Sequence, residues 1–556
     1  MREWPKISDE GLNNVIDKYF PFDSYRVNQK EAIRYIVKSF MSGTEHFFLE
    51  APTGIGKSAI AVTVHRVLQH LNHKFRTTIA TKTKNLQDVY KSDYREVFDL
   101  RSKTNYPCSF DAEHYDTVRC KVLKYTKKCE PRMSCQYVRA RELWSLTAKL
   151  RSTNHSFVLE ACDSVLNQEG KRADLTIIDE CHDLNNKIIE HSVVSFKLDD
   201  IKTIEKIGLQ YANKLKDLTK KLLVAEKYER HKITKITESM VYIVEEMFDH
   251  SANLHDDVNS YILATIQGGK TIEPEVVKAL DKIDNLKENC EVILAAADDP
   301  HSEFVVMVKE DNTLNLKPLH AKYTAYYKLF RKTDYFLHMS STICGFGEYA
   351  KSLGIVRSTY DSLHLPSPFP KENRKIFFNP VSRFNNQQKE VALKRISEEA
   401  RNIVKNNKGK RGLIHSVSYA NANYLVDNAQ DKERFYIPKN AADGFSYLRS
   451  REDGILVSPS MEEGYDLVGE LCRFQILMKV PYGFLGDPII KFNMQKDFNT
   501  YVRAAVMRIV QASGRAVRSE KDFADTYILD AGFSTILEKY KYMIPEWYQE
   551  AILIKR

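Results

Sequence analysis

The most constraining stretch of this 556-residue chain is FFLEAPTGIGKS at 47–58. An apolar run leads into a turn containing Thr53, Gly54 and Gly56, then Lys57 and Ser58, then the helix-patterned AIAVTVHRVLQHL. A backbone that wraps its N–H groups around a phosphate needs small residues where anion and chain approach, and a helix N-terminus behind them. Strand, loop and helix in that order commit the flanking chain to a parallel α/β sheet. Lys57 is placed to reach the β- and γ-phosphates of a nucleotide and Ser58 to ligate Mg²⁺. Ala51 stands where such loops usually begin with glycine.

A second element fits the first. LTIIDECH at 175–182 is an apolar strand ending in adjacent carboxylates. Side chains alternate at a strand end, so Asp179 and Glu180 can take different tasks. Asp179 would hold the metal's hydration shell and Glu180 would polarise an attacking water. Cys181 reads as a small spacer, and His182 as a link from nucleotide state to a neighbouring domain. Short apolar runs recur at 46–49, 77–80, 175–178, 335–339, 412–415, 454–457, 474–480 and 526–529, mostly separated by helix-length segments. That is the α/β pattern of buried parallel strands. Residues 199–332 break it, with charged and apolar residues mixed at helical spacing, and read as a helical insertion.

Composition excludes several classes. The chain carries 83 Lys+Arg against 74 Asp+Glu, a net +9, with 28% charged and 43% apolar residues. This is ordinary for a globular protein and excludes collagen, coiled coil and wholesale disorder. The longest apolar run, 292–297, is six residues, against the roughly 18 a membrane helix needs, so no membrane partner is expected. The first ten residues, MREWPKISDE, lack the apolar core of a secretory leader. Nine cysteines, an odd number, fit a reducing compartment, cytoplasmic or nucleoid-associated.

Four of the nine, Cys108, Cys120, Cys129 and Cys135, fall within 28 residues. Four thiolates at irregular spacing suit an iron–sulfur cluster. Zinc is the competing reading, although its paired knuckles are missing, and unliganded thiols are the third. The other five cysteines, among them Cys162, read as small buried residues. Residues 100–151 hold 12 Lys/Arg and 5 Asp/Glu, interleaved with Tyr106, Phe110, Tyr115, Tyr125, Tyr137 and Trp144. Cations beside aromatics suit a single-stranded nucleic acid. The alternative is that the aromatics form the core of a small insert.

APTGIGKS followed by DECH resembles superfamily 2 helicases, and further landmarks agree. Tyr25, Arg26 and Gln29 lie where that superfamily keeps an adenine-reading segment. TKTKNLQ at 81–87 resembles its first strand-contacting motif. MSSTI at 339–343 resembles its coupling motif, with Ser340 and Thr342 as the coupling residues. SPSMEEGYDLVG at 458–469, with Gly464 and Asp466, and QASGRAVRS at 511–519 resemble its fifth and sixth motifs. In the sixth, Gln511, Arg515 and Arg518 would serve catalysis, the two arginines meeting one phosphate as i, i+3 neighbours on a helix. The cysteine insert, TNHSFVL at 153–159 and the helical insertion resemble the XPD-like and DinG-like iron–sulfur branch.

The resemblance implies two RecA-like parallel-sheet domains, the first carrying a small iron–sulfur insert and a helical arch. It places the first domain at 1–100, 151–195 and 333–370, the insert at 101–150, the arch at 196–332 and the second domain at 371–556. It further implies ATP, Mg²⁺ and a 4Fe–4S cluster as cofactors, bound to Arg26, Gln29, Thr53, Gly54, Gly56, Lys57, Ser58, Asp179, Gly464 and Asp466, with the cluster on the four cysteines. Single-stranded and forked DNA are the implied partners, with 5′-to-3′ translocation, a monomeric state and RNA–DNA hybrid as an alternative substrate. A translocase that remodels complexes without unwinding, and a non-enzymatic scaffold, are the other readings. Intact Lys57, Glu180 and Arg518 count against the scaffold.

Overall fold

The computed structural model describes residues 3–107, 135–160, 172–205, 211–225, 232–235, 237–270, 272–297, 303–308, 313–384, 388–459, 467, 469–517, 519 and 521–554. Two compact units divide the chain. The first holds residues 1–67, 338–349 and 360–556, and the second holds 68–337 and 350–359.

The chain opens with helices α1 (Asp9–Tyr19) and α2 (Gln29–Met41), then strand β1 (His46–Glu50), helix α3 (Lys57–Leu71), β2 (Thr77–Thr81), helix α4 (Lys84–Asp93), β3 (Val97–Asp99), β4 (Leu150–Asn154) and β5 (Leu175–Asp179). β6 (Val194–Lys197), β7 (Lys232–Lys235), β8 (Glu303–Val308) and β9 (Thr313–Pro318) follow, then β10 (Tyr335–Ser340) and β11 (Tyr360–His364). The last seven strands are β12 (Ile376–Ser382), β13 (Gly412–His415), β14 (Phe435–Tyr436), β15 (Ile455–Ser458), β16 (Phe474–Leu477), β17 (Asp525–Asp530) and β18 (Ile552–Ile554).

β10 belongs to both units. In the first its neighbours run β11-β1-β10, and in the second β10-β5-β2-β4-β3, so one seven-stranded parallel sheet results. β1, β2, β5 and β10 are buried along their whole length. Burial on both faces is what a parallel sheet under crossover helices requires, and it explains the unbroken apolar runs. The second sheet lies wholly in the first unit, with parallel order β14-β15-β13-β16-β17-β12-β18. Both are RecA-like. All eight expected strands are present. β14 and β18 are only two and three residues long, and the edge strands β3 and β11 carry too little apolar sequence to stand out.

The region read as a helical insertion is more than helices. Its helices include Leu198–Glu205, Glu238–Gln267 and Pro274–Ala297. Met240, Val244, Met247, Leu254, Val258 and Ile262 form a buried seam, faced by Val277, Leu280, Ile283, Leu286, Cys290 and Ile293. This alternating 3–4 spacing is that of two packed helices. Beside them β6-β9-β8-β7 form an antiparallel sheet that the sequence reading missed. Its strands are four to six residues long, and flanking helical periodicity dominated the reading.

Among the described residues of the cysteine insert, Leu100, Tyr137 and Trp144 form a small core, with Tyr106, Cys135 and Phe157 packed on it. Trp144 is fully buried and donates its indole N–H to the Ser152 carbonyl at 2.8 Å. Arg151 is buried against the Trp144 ring and donates to the Thr78 hydroxyl at 2.8 Å. Desolvation lowers its pKa to about 9. Tyr137, Trp144 and Arg151 are therefore core groups, not a nucleic-acid platform, because a small insert spends its aromatics on its own core. Phe110, Tyr115 and Tyr125 lie outside the described residues.

Candidate active site

The phosphate loop leaves β1 at Glu50. The Ala51 N–H donates to the Ser340 carbonyl at 2.8 Å, tying the loop's start to the end of β10. Gly54 and Gly56 adopt φ of +89° and +81°, a region that penalises any Cβ. A Cβ at Gly54 would also run into the Phe369 ring, and one at Gly56 into the Gln29 amide. α3 begins at Lys57, so its first N–H groups face the turn. Such a cradle fits a phosphate and excludes side chains.

Arg26 and Gln29, expected to read a base, are bonded to the loop. The Arg26 guanidinium donates to the Gly54 carbonyl. Gln29 is buried; its amide donates to the Ile55 carbonyl at 2.7 Å and accepts from the Arg26 N–H at 2.7 Å. Two loop carbonyls are thereby turned inward, which leaves the opposite side of those peptides for an anion. Thr53 lines a pocket with Phe369, Arg374, Gly514, Val517 and Trp547.

The turn after β10, 340–344, is held from two sides. Beyond Ser340, whose hydroxyl accepts the Thr342 N–H at 3.1 Å, the chain turns through Cys344 at φ 56°. Buried Glu50 accepts the N–H groups of Ile343 and Cys344 at 2.6 and 2.7 Å, and its other oxygen lies 2.7 Å from His364 Nδ1. From helix Phe498–Ser513, Gln511 donates to the Thr342 hydroxyl at 3.1 Å and Arg503 to the Ile343 carbonyl at 2.9 Å. Sequence reading found Gln511, Ser340 and Thr342 but missed Glu50 and Arg503. The available signal for Glu50 was a lone carboxylate at the end of an otherwise apolar strand.

That helix also corrects an expectation. It ends at Ser513 with Gly514 as its cap, as glycines commonly end helices. Arg515 lies beyond it in a turn, its carbonyl accepting from the Leu467 N–H at 3.3 Å. Arg515 and Arg518 are therefore not i, i+3 neighbours on one helix. Arg518, Gly464 and Asp466 lie outside the described residues, as do Cys108, Cys120, Cys129 and Cys162.

The acidic strand end lies in the second unit. Asp179 is buried; one oxygen accepts the Glu180 N–H at 3.0 Å and the other accepts the Tyr90 hydroxyl at 3.1 Å. Glu180 turns the chain at φ 54° and is less buried, with His182 Nδ1 3.2 Å from its carboxylate. Buried His155 stands with Nε2 2.9 Å from the Asp179 carbonyl. Burial lowers its pKa to about 4, so the ring is neutral and donates its Nε2 proton. Tyr90 was not anticipated; its buried position on α4 fits an apolar-face reading equally well. Cys135, directly before helix Gln136–Glu142, is a half-buried free thiol. Cys181, Cys290, Cys344 and Cys472 are buried, as expected. Among the described residues, no group of three or more metal-ligating side chains is gathered, and no helix is long and apolar enough to cross a membrane.

Two RecA-like parallel sheets and a phosphate loop at the end of β1 are the fold of a helicase-type ATPase. Comparison with known proteins is consistent with that class. Residues 382–551 match the helicase C-terminal domain family and 23–224 the family described as type III restriction enzyme, res subunit. A solved XPD helicase shares 15% identity at a TM-score of 0.57, over 96% of this chain and all of that one. An apo XPD structure shares 15% at 0.55, over 94% and all. S. tokodaii Xpd4 shares 12% at 0.54, over 96% and all. No curated protein matches the chain. Residues 382–551 thus carry a helicase C-terminal domain, and the fold is that of the solved XPD helicases.

Proposed function

We propose that the protein is an ATP-dependent DNA helicase that couples Mg-ATP hydrolysis to 5′-to-3′ translocation on single-stranded DNA and to duplex unwinding. The observation that carries this reading is that Thr53 of the phosphate loop and Gly514, next to Arg515, line one pocket, while Gln511 bonds the coupling turn. In this reading the loop N–H groups and Lys57 hold the phosphates, and Ser58 and Asp179 hold Mg²⁺. Glu180 takes the proton of the attacking water, His182 steadying its carboxylate. Arg515 and Arg518 offset transition-state charge. Gly464 and Asp466 complete the nucleotide contacts. Cys108, Cys120, Cys129 and Cys135 hold a 4Fe–4S cluster that staples the basic insert.

Strand-displacement and ATPase assays on one preparation, with 5′-tailed, 3′-tailed, forked and RNA–DNA hybrid substrates, test it. Unwinding of the 5′-tailed duplex with strand-stimulated hydrolysis is expected. Strand-stimulated hydrolysis without displacement of any substrate would establish the remodelling translocase instead. Iron analysis of anaerobically purified protein should give about four irons per chain for a cubane cluster; one zinc and no iron would refute that assignment.

A further inference from the structure

α4 has a buried face made by Gln87 and Tyr90, one turn apart. Each ends on a carboxylate. The Gln87 amide donates to Asp99 at 2.7 Å, at the root of the cysteine insert, where Asp99 also accepts from Ser152 at 2.8 Å and pairs with Arg101 at 2.9 Å. Tyr90 donates to Asp179. Asp179 thus has one oxygen fixed by a peptide N–H and the other by a phenol. The two bonds together stop the carboxylate from rotating about its Cβ–Cγ bond.

We propose that Tyr90 is a positioning residue: its hydroxyl fixes the Asp179 carboxylate for the nucleotide-bound metal, and α4 ties that carboxylate to the root of the cysteine insert through Gln87 and Asp99. The inference rests on the reading of Asp179 as a metal-holding group. A hydroxyl on a charged acceptor is among the stronger single hydrogen bonds. Removing it takes from a buried carboxylate oxygen its phenol donor.

Tyr90→Phe keeps the ring and removes only the hydroxyl. Mn²⁺ binding to the full chain with ADP, followed by electron paramagnetic resonance, should weaken about tenfold. ADP affinity in EDTA and the melting temperature should stay near wild type, as a general loss of structure would not allow. Unchanged or tighter Mn²⁺ binding in Tyr90→Phe overturns the proposal. Asp179→Asn locates such a failure: if it too leaves Mn²⁺ binding intact, the metal-holding reading itself is wrong. If Asp179→Asn loses the metal while Tyr90→Phe does not, only the positioning role fails. Gln87→Met should shift Mn²⁺ binding in the same direction and be non-additive with Tyr90→Phe. No effect of Gln87→Met would overturn the tie to the insert.

Discussion

At the phosphate loop the protein grips main chain, whereas at the acidic strand end it grips side chain. Arg26 and Gln29 bond the carbonyls of Gly54 and Ile55, and two glycines leave no room for anything but backbone. Asp179 is held by a phenol and a peptide N–H, with His155 beneath its carbonyl. The loop is thus a shape that few substitutions can enter, and the acidic end is a set of bonds that can be removed one at a time. Loop variants should lose binding, and acidic-end variants should lose turnover or metal while nucleotide still binds.

The sharpest test is Glu180→Gln. Loss of a general base costs on the order of 10²–10⁴ in rate. Turnover should fall by that factor with ATP affinity close to wild type in equilibrium binding. A matching loss of affinity would erase the contrast. Lys57→Ala comes next. Deleting one preorganised donor to developing charge costs about 10²–10³ in kcat, and here ATP binding should weaken as well. Gly54→Ala is milder. A left-handed backbone costs an L-residue about 1–2 kcal/mol, so ATP affinity by calorimetry should drop about tenfold or more, with the Phe369 clash adding to it. An unchanged affinity would mean that the loop is remade on binding.

These contrasts were only partly legible in the sequence. The central strands were, because burial on both faces writes itself as an apolar run. The strand, turn and helix that carry Lys57 and Ser58, and the strand that ends at Asp179, were, because their order is set by local geometry. Glu50, Arg503 and Tyr90 were not. Each acts through a partner distant in sequence, Ile343 for Glu50 and Arg503, Asp179 for Tyr90, and no local period announces such a pairing. The helix end at Gly514 was legible from the glycine itself, yet the arginine spacing was read as helical across it. β6–β9 were hidden because short antiparallel strands beside long helices contribute little periodicity.

The smallest expected effect is on pH dependence. Burial lowers the pKa of His155 to about 4 and those of His46, His65 and His415 to about 3. The unfolded rings take up protons near pH 6.5, and the folded ones do so only below about 4. Their contribution is full above about pH 6.5 and is lost as pH falls through that value toward the folded pKa. Urea midpoints should therefore decline from pH 7 to pH 5, and His155→Gln should flatten that slope. A slope unchanged by His155→Gln would show that its burial is not maintained in solution.

Phe369 comes from the connector between β11 and β12, and its ring covers Gly54. That contact has a consequence for how the chain can diverge. A smaller side chain at 369 opens space beside the loop but does not change the backbone at 54, which remains left-handed. Position 54 is closed from two sides and position 369 from one. Across descendants of this sequence, replacements should accumulate at 369 first, and any escape from glycine at 54 should be found only in lineages where 369 has already shrunk.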